Sequence, residues 1–126
     1  MLRKSFAVAV VAVVAAVLAT TALARHGSTP TLVGTVGPGY TIHLTSNGKA
    51  VKTLKAGKYT FVITDKASIH NFTIEREKGG PKIEKVLTST SFQGKKTVTV
   101  TLKKGSWKFY CSVHEPQMFG FFKVTS

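Results

Sequence analysis

The chain has 126 residues with 18 basic and five acidic side chains, a formal charge of +13, and one cysteine, Cys111. That length suits one small domain with a single core, and a single cysteine excludes an internal disulfide. The basic residues are scattered with no basic helix or nucleic-acid motif among them, so nucleic acid is not an expected partner.

The chain opens with Met1-Leu2-Arg3-Lys4, and then Ser5 to Ala24 carry no charge. A basic start, an apolar run and Ala22-Leu23-Ala24 as a small-x-small site read as a secretory signal peptide over residues 1–24. Such a run is also just long enough to span a bilayer, so an uncleaved membrane anchor is the alternative, disfavoured because alanine and threonine insert weakly. Both readings place the domain across the cytoplasmic membrane, in a periplasm, in a cell wall or secreted. Two of the 18 basic residues, Arg3 and Lys4, leave with the signal, and the remaining 16 face five acids. Charge of that sign attracts an acidic redox partner or an anionic membrane or cell-wall surface. The plainer role of scattered lysines is a solvated face that protects sheet edges.

Residues 25–38, rich in glycine, proline and threonine, read as a linker or an irregular first strand whose paired part is Thr31 to Val36. His26 belongs to this stretch and is expected to be disordered. From Tyr40 the period is two: Tyr40, Ile42 and Leu44 take one face, while Thr41, His43 and Thr45 take the other, which makes His43 a surface histidine. Ser46-Asn47-Gly48 marks a turn. Tyr59, Phe61 and Ile63 form the next inward set, followed by the loop Asp65-Lys66-Ala67-Ser68. A strand from Ile69 to Glu75 then puts His70, Phe72 and Ile74 on one face.

Lys82 to Gln93 has no clean period and reads as a short irregular strand or a loop with one helical turn. Val98, Val100 and Leu102 alternate with threonines. Trp107, Phe109 and Cys111 share a core-facing parity, and Phe122 and Val124 close the chain inward, leaving Phe119 and Phe121 on the opposite parity. About eight short strands with no amphipathic helix after the leader argue an antiparallel sandwich or barrel.

The stretch W-K-F-Y-C-S-V-H-E-P-Q-M, Trp107 to Met118, carries the chemistry. A lone cysteine is ordinarily a small buried hydrophobe. Here Cys111, His114 and Met118 offer a thiolate, an imidazole and a thioether within eight residues, a soft donor set that favours copper. A trigonal copper site needs a second imidazole, and His70, sharing the parity of the apolar positions, is the candidate.

An upstream His-Asn, a strand ending in Tyr-Cys, Cys-x-x-His, a nearby Met and a glycine-containing final strand together resemble the plastocyanin-like blue copper proteins, the cupredoxins. The resemblance runs from about Gly39 to Ser126 and implies an antiparallel Greek-key β-sandwich over residues 39–126. Carried over, it implies His70, Cys111 and His114 as the trigonal copper ligands and Met118 as the weak axial one. Asn71 and Ser112 then brace the site, with the Asn71 N–H approaching the Cys111 sulfur and its side chain tied to Ser112. Three residues separate His114 from Met118, where plastocyanin has four. Pro116, Phe119 and Phe121 are expected to supply an apolar surface around an exposed His114 edge. The implied function is single-electron transfer by one copper ion in a monomeric, non-enzymatic protein. The alternative is a copper carrier or scavenger that hands the ion to another protein. A copper oxidase would need further histidines, and His26 and His43 are too few and badly placed.

Overall fold

Period-two alternation produces strands over most of the stretches where it was legible, because side chains of a strand point alternately to its two faces and only one face can join the core; the strand expected from Ile69 starts only at Phe72 and leaves His70 in a loop. The structure, a computed structural model, describes residues 28–126; the proposed signal segment and His26 lie outside the described residues. Among the described residues ten strands form, rather than about eight: β1 (Thr31–Val36), β2 (Ile42–Ser46), β3 (Lys49–Ala50), β4 (Thr53–Lys55), β5 (Gly57–Asp65), β6 (Phe72–Lys78), β7 (Ile83–Thr88), β8 (Gly94–Leu102), β9 (Gly105–Tyr110) and β10 (Phe119–Thr125). No described helix is long and apolar enough to cross a membrane.

The strands make two five-stranded sheets, in the order β3-β2-β1-β5-β8 and β4-β10-β9-β6-β7. The all-β sandwich expected from the sequence is present, but its pairing is mixed rather than wholly antiparallel. β1 runs parallel to β5, and β10 runs parallel to β4. Parallel neighbours need connections that cross to the other sheet, and alternation within one strand says nothing about the direction of the strand beside it. Thr31–Val36 is fully integrated, with β2 on one side and β5 on the other.

Leu32, Val36, Leu44, Phe61, Ile63, Val100 and Leu102 of the first sheet meet Phe72, Ile74, Trp107, Phe109, Phe122 and Val124 of the second in one buried cluster. Each large apolar side chain removed from water this way contributes about 1.5–3 kcal/mol. The polar tips of two core aromatics are satisfied: Trp107 Nε1–H donates to Lys103 O at 2.8 Å and the Tyr59 hydroxyl to Lys55 O at 2.7 Å. Asn47 and Gly48, both at positive φ (50° and 77°), form the tight turn joining β2 to β3.

Lys82 to Gln93 resolves into β7 and a turn. Its missing period has a cause: β7 is an edge strand, paired only with β6 and broken by a register shift between Phe72 and Thr73. Leu87 and Thr88 are buried while Val86 is exposed. β6, between β7 and β9, is buried on both faces: Thr73 is as enclosed as Phe72 and Ile74, and Glu75 is largely buried.

Candidate metal centre

Cys111 follows directly on β9, Met118 directly precedes β10, and the six residues between them form a closed turn. Cys111 N–H donates to Met118 O at 3.0 Å across the base of the loop. Inside it, His114 N–H donates to Cys111 O at 3.1 Å, and the amides of Gln117 and Met118 both donate to His114 O, at 3.0 and 2.9 Å. The inward parity of Trp107 and Phe109 continues to Cys111, whose thiol arrives fully buried. Met118 is fully buried as well.

His70 comes from the other side, in the loop between β5 and β6. Asp65 shapes that loop: its Oδ1 accepts the Ala67 N–H at 3.1 Å, while its Oδ2 is buried without a partner. Burial raises the Asp65 carboxyl above its ordinary range, against the Ala67 N–H and the nearby His70, which pull it down. His70 itself is fully buried, and its Nε2–H donates to Gly39 O at 2.8 Å. With the proton held on Nε2, the Nδ1 lone pair is free and faces the loop.

Three donor atoms meet there. His70 Nδ1 and His114 Nδ1 are 3.0 Å apart, and Cys111 Sγ is 3.9 Å from the first and 3.7 Å from the second. The centre of the circle through these three atoms is about 2.1 Å from each, within the roughly 2.0–2.3 Å of protein metal–nitrogen and metal–sulfur bonds. His70, Cys111 and His114 are therefore placed to bind one metal ion. No other such group of histidine, cysteine and carboxylate donors occurs among the described residues. His43 lies exposed on β2, away from the cluster.

Asn71 ties the two halves of the site together. Its backbone N–H points at Cys111 Sγ from 3.4 Å, its Nδ2 donates to Ser112 Oγ at 2.7 Å, and its Oδ1 accepts the Ser112 N–H at 2.9 Å. Thr73 Oγ1 also donates to Asn71 Oδ1, at 3.2 Å, and Asn71 Nδ2 reaches Thr90 Oγ1 at 3.3 Å. An amide held by this many partners has one orientation.

Tyr40 departs from its expected place in the core. It lies just before β2, is 56% exposed, and sets its ring edge-on to both histidines, with centroids 4.9 Å from His114 and 5.9 Å from His70. The loop that carries it is closed by Gly37 N–H donating to Thr41 O at 2.8 Å and by Thr41 Oγ1 donating to Pro38 O at 2.9 Å. The same loop thus orients His70, through Gly39 O, and covers His114, through Tyr40. Sequence reasoning missed both roles. The Gly-Pro-Gly run ahead of Tyr40 was the available signal, since it ends the strand pattern before the tyrosine is reached.

Phe119 and Phe121 are both exposed, but on the outer face of the second sheet, where they pack on each other and on the Lys108 ammonium. At the metal end the exposed apolar side chains include Tyr40, Ile69, Val113 and the expected Pro116, with Ile69 and Val113 each preceding a histidine of the cluster.

No protein-family model matches the sequence, and no curated protein matches it. Solved structures of rusticyanin do match. A rusticyanin variant aligns with a TM-score of 0.53 at 21% identity, reduced rusticyanin with 0.51 at 23%, and a structure described as the copper protein rusticyanin with 0.52 at 22%. Each alignment covers 79% of this chain and 79% to 81% of the other. The chain has the cupredoxin fold. Within that fold its His-Cys-His cluster fits a type 1 copper site, the arrangement of two imidazoles and a thiolate around one ion. A cupredoxin sandwich explains the division of labour seen here: one loop after β9 supplies the closely spaced donors, and the opposite loop supplies the distant histidine.

Proposed function

We propose that this cupredoxin domain binds one copper ion through His70 Nδ1, Cys111 Sγ and His114 Nδ1, with Met118 as the weak axial ligand, and carries single electrons between redox partners. The convergence of the three donor atoms on a point at bonding distance from all of them carries this reading. Bound in two imidazoles, a thiolate and a distant thioether, copper supplies a one-electron couple whose two oxidation states accept the same geometry.

The protein's part is to keep those donors still. Gly39 O fixes the ring and tautomer of His70, Asn71 N–H stabilises negative charge on the Cys111 sulfur, and the Asn71–Ser112 pair locks the ligand loop to the β6 side. Such contacts orient ligands and tune the metal. His114 alone of the three donors is partly exposed, so the electron enters and leaves through its ring, at an end bordered by Tyr40, Ile69 and Val113.

Delivery of copper to another protein would use the same donors. The burial of His70, Cys111 and Met118 supports retention of the ion, and therefore electron carriage over copper delivery. Carriage rather than catalysis also follows from the donor set, which leaves no open coordination position once Met118 is counted. We place the protein beyond the cytoplasmic membrane, as a monomer whose positive charge favours an acidic redox partner.

Addition of one equivalent of Cu(II) to the purified protein is expected to produce an intense visible band from sulfur-to-copper charge transfer. Cys111→Ser abolishes the band and leaves the far-UV circular dichroism of a β-sandwich intact. Imidazole added to His114→Ala restores colour more readily than imidazole added to His70→Ala, because only the first vacancy opens to solvent. A colourless wild type at full copper occupancy overturns the reading.

A further inference from the structure

The lysines are not evenly distributed over the sandwich. β9 runs from Gly105 to Tyr110 and delivers Cys111 to the metal end, so its start lies roughly 20 Å away at the opposite end. Six strand ends meet at that far pole: the starts of β5 and β9 and the ends of β4, β6, β8 and β10. Seven exposed lysines stand at this end, Lys55, Lys58, Lys78, Lys103, Lys104 and Lys123 on or beside these strand ends and Lys52 just before β4, its O accepting the Lys123 N–H at 2.9 Å. Glu77 is the one acidic side chain there. The ion pairs among the described residues use Lys82 and Lys108, so no described carboxylate neutralises any of the seven. Lys52, Lys78 and Lys123 rim a groove of about 380 Å³ that is lined by Trp107 and Phe121.

β1 starts opposite Thr60, whose N–H donates to Pro30 O at 2.9 Å, and runs toward the metal end. The chain therefore enters the domain on the lysine side. Residues 25–30 separate the uncharged run Ser5–Ala24 from β1, a reach of at most about 20 Å even when fully extended. Whenever that run is held in a bilayer, the short connector keeps the lysine side of the domain within about 20 Å of the membrane surface.

We propose that the lysine pole is a docking surface for an anionic phospholipid bilayer, which seats the domain with the His114 end turned away from the membrane toward its redox partners. Lysines at a surface bind anionic headgroups by their summed charge and are screened by salt. The proposal does not depend on the identity of the metal, and none of its tests reads the metal.

The test is sedimentation of the protein, with the N-terminus that processing leaves it, on vesicles of phosphatidylcholine alone and of phosphatidylcholine with phosphatidylglycerol. Any anchoring by the apolar run appears in both, so the excess on anionic vesicles reports the lysines. The triple variant Lys52→Glu/Lys78→Glu/Lys123→Glu is expected to cut that excess at least about tenfold. Lys66→Glu/Lys95→Glu/Lys96→Glu changes the net charge equally, but at the metal end, and is expected to cut it less than about twofold. Hydrogen exchange on anionic vesicles should slow at residues 103–106 and 123–126 and stay unchanged at residues 37–41 and 112–117. An equal loss in both triple variants shows binding by net charge with no preferred face, and the absence of any anionic excess in the wild type removes the surface altogether; either result overturns the proposal.

Discussion

His114 and Met118 are separated by three residues, and that spacing decides what the thioether can do. Pro116 stiffens the turn, and the hydrogen bonds from Gln117 and Met118 to His114 O draw it tight enough to carry Met118 to full burial. Methionine also fills gaps in cores, so burial alone does not make it a ligand. An axial donor stabilises Cu(II), and its removal favours Cu(I). Met118→Leu is accordingly expected to keep the colour and raise the reduction potential, and Met118→Gln, with a harder oxygen, to lower it. Redox titration of both separates the roles, because a packing residue would change stability and leave both potentials alone. Tyr40 invites a different substitution. Its ring covers the edge of His114 from 4.9 Å, so Tyr40→Ala should open the site and let small anions such as azide shift the visible band at concentrations about tenfold or more below those the wild type needs, while Tyr40→Phe keeps the cover. Equal anion sensitivity in all three proteins would leave Tyr40 without a shielding role.

Among the elements, β6 and β9 show how far alternation can be read. Its phase placed Phe72, Ile74, Trp107, Phe109 and Cys111 inward, and all are buried. Local pattern also flagged the soft donors around Cys111, because they lie within one short loop. The parallel partners of β1 and β10 were not legible, since pairing direction depends on segments far apart in the chain. Nor was the network on the outer face of β6 and β9. There Tyr110 is 4% exposed and its hydroxyl lies 3.0 Å from a Glu75 carboxylate oxygen and 3.2 Å from a Glu84 one, sharing its single proton between them, with Lys82 closing the group at 3.5 Å from both carboxylates. Burial, and then the two carboxylates, hold the Tyr110 phenol well above its ordinary value. A group that keeps its proton more tightly in the folded state contributes stability that is complete below the unfolded phenol value of about 10 and is lost as pH climbs toward the folded one. Denaturant unfolding at pH 8 and pH 11 should therefore show a loss in the wild type that is smaller in Tyr110→Phe. At pH 8 the variant itself is expected to be about 1–3 kcal/mol less stable, because the carboxylates lose a buried donor. Parallel losses in the two proteins would assign the alkaline limb to other groups.

Across the whole molecule, the two ends differ in kind. The metal end shows Tyr40, Ile69 and Val113 to solvent, with Lys66, Lys95 and Lys96 close to it in the chain segments that frame the site, while the far end gathers a larger group of seven lysines. On the proposed function, a redox partner that meets His114 would encounter an apolar contact area inside a positive field. The two contributions respond differently to salt. Long-range attraction raises the rate of encounter and is largely screened beyond about 8 Å at physiological ionic strength, whereas apolar contact is not screened. Electron transfer to an acidic redox protein should therefore slow by about tenfold or more between low and high salt, then level off at a rate set by the apolar patch. With a basic redox protein of similar potential the slope should reverse, because salt then relieves repulsion. Stopped-flow measurement of both bimolecular rates checks this, with Ile69→Ala/Val113→Ala lowering the high-salt plateau and leaving the salt slope unchanged. A rate to the acidic protein that is indifferent to salt would remove electrostatic steering and leave the surface around His114 as the whole basis of recognition.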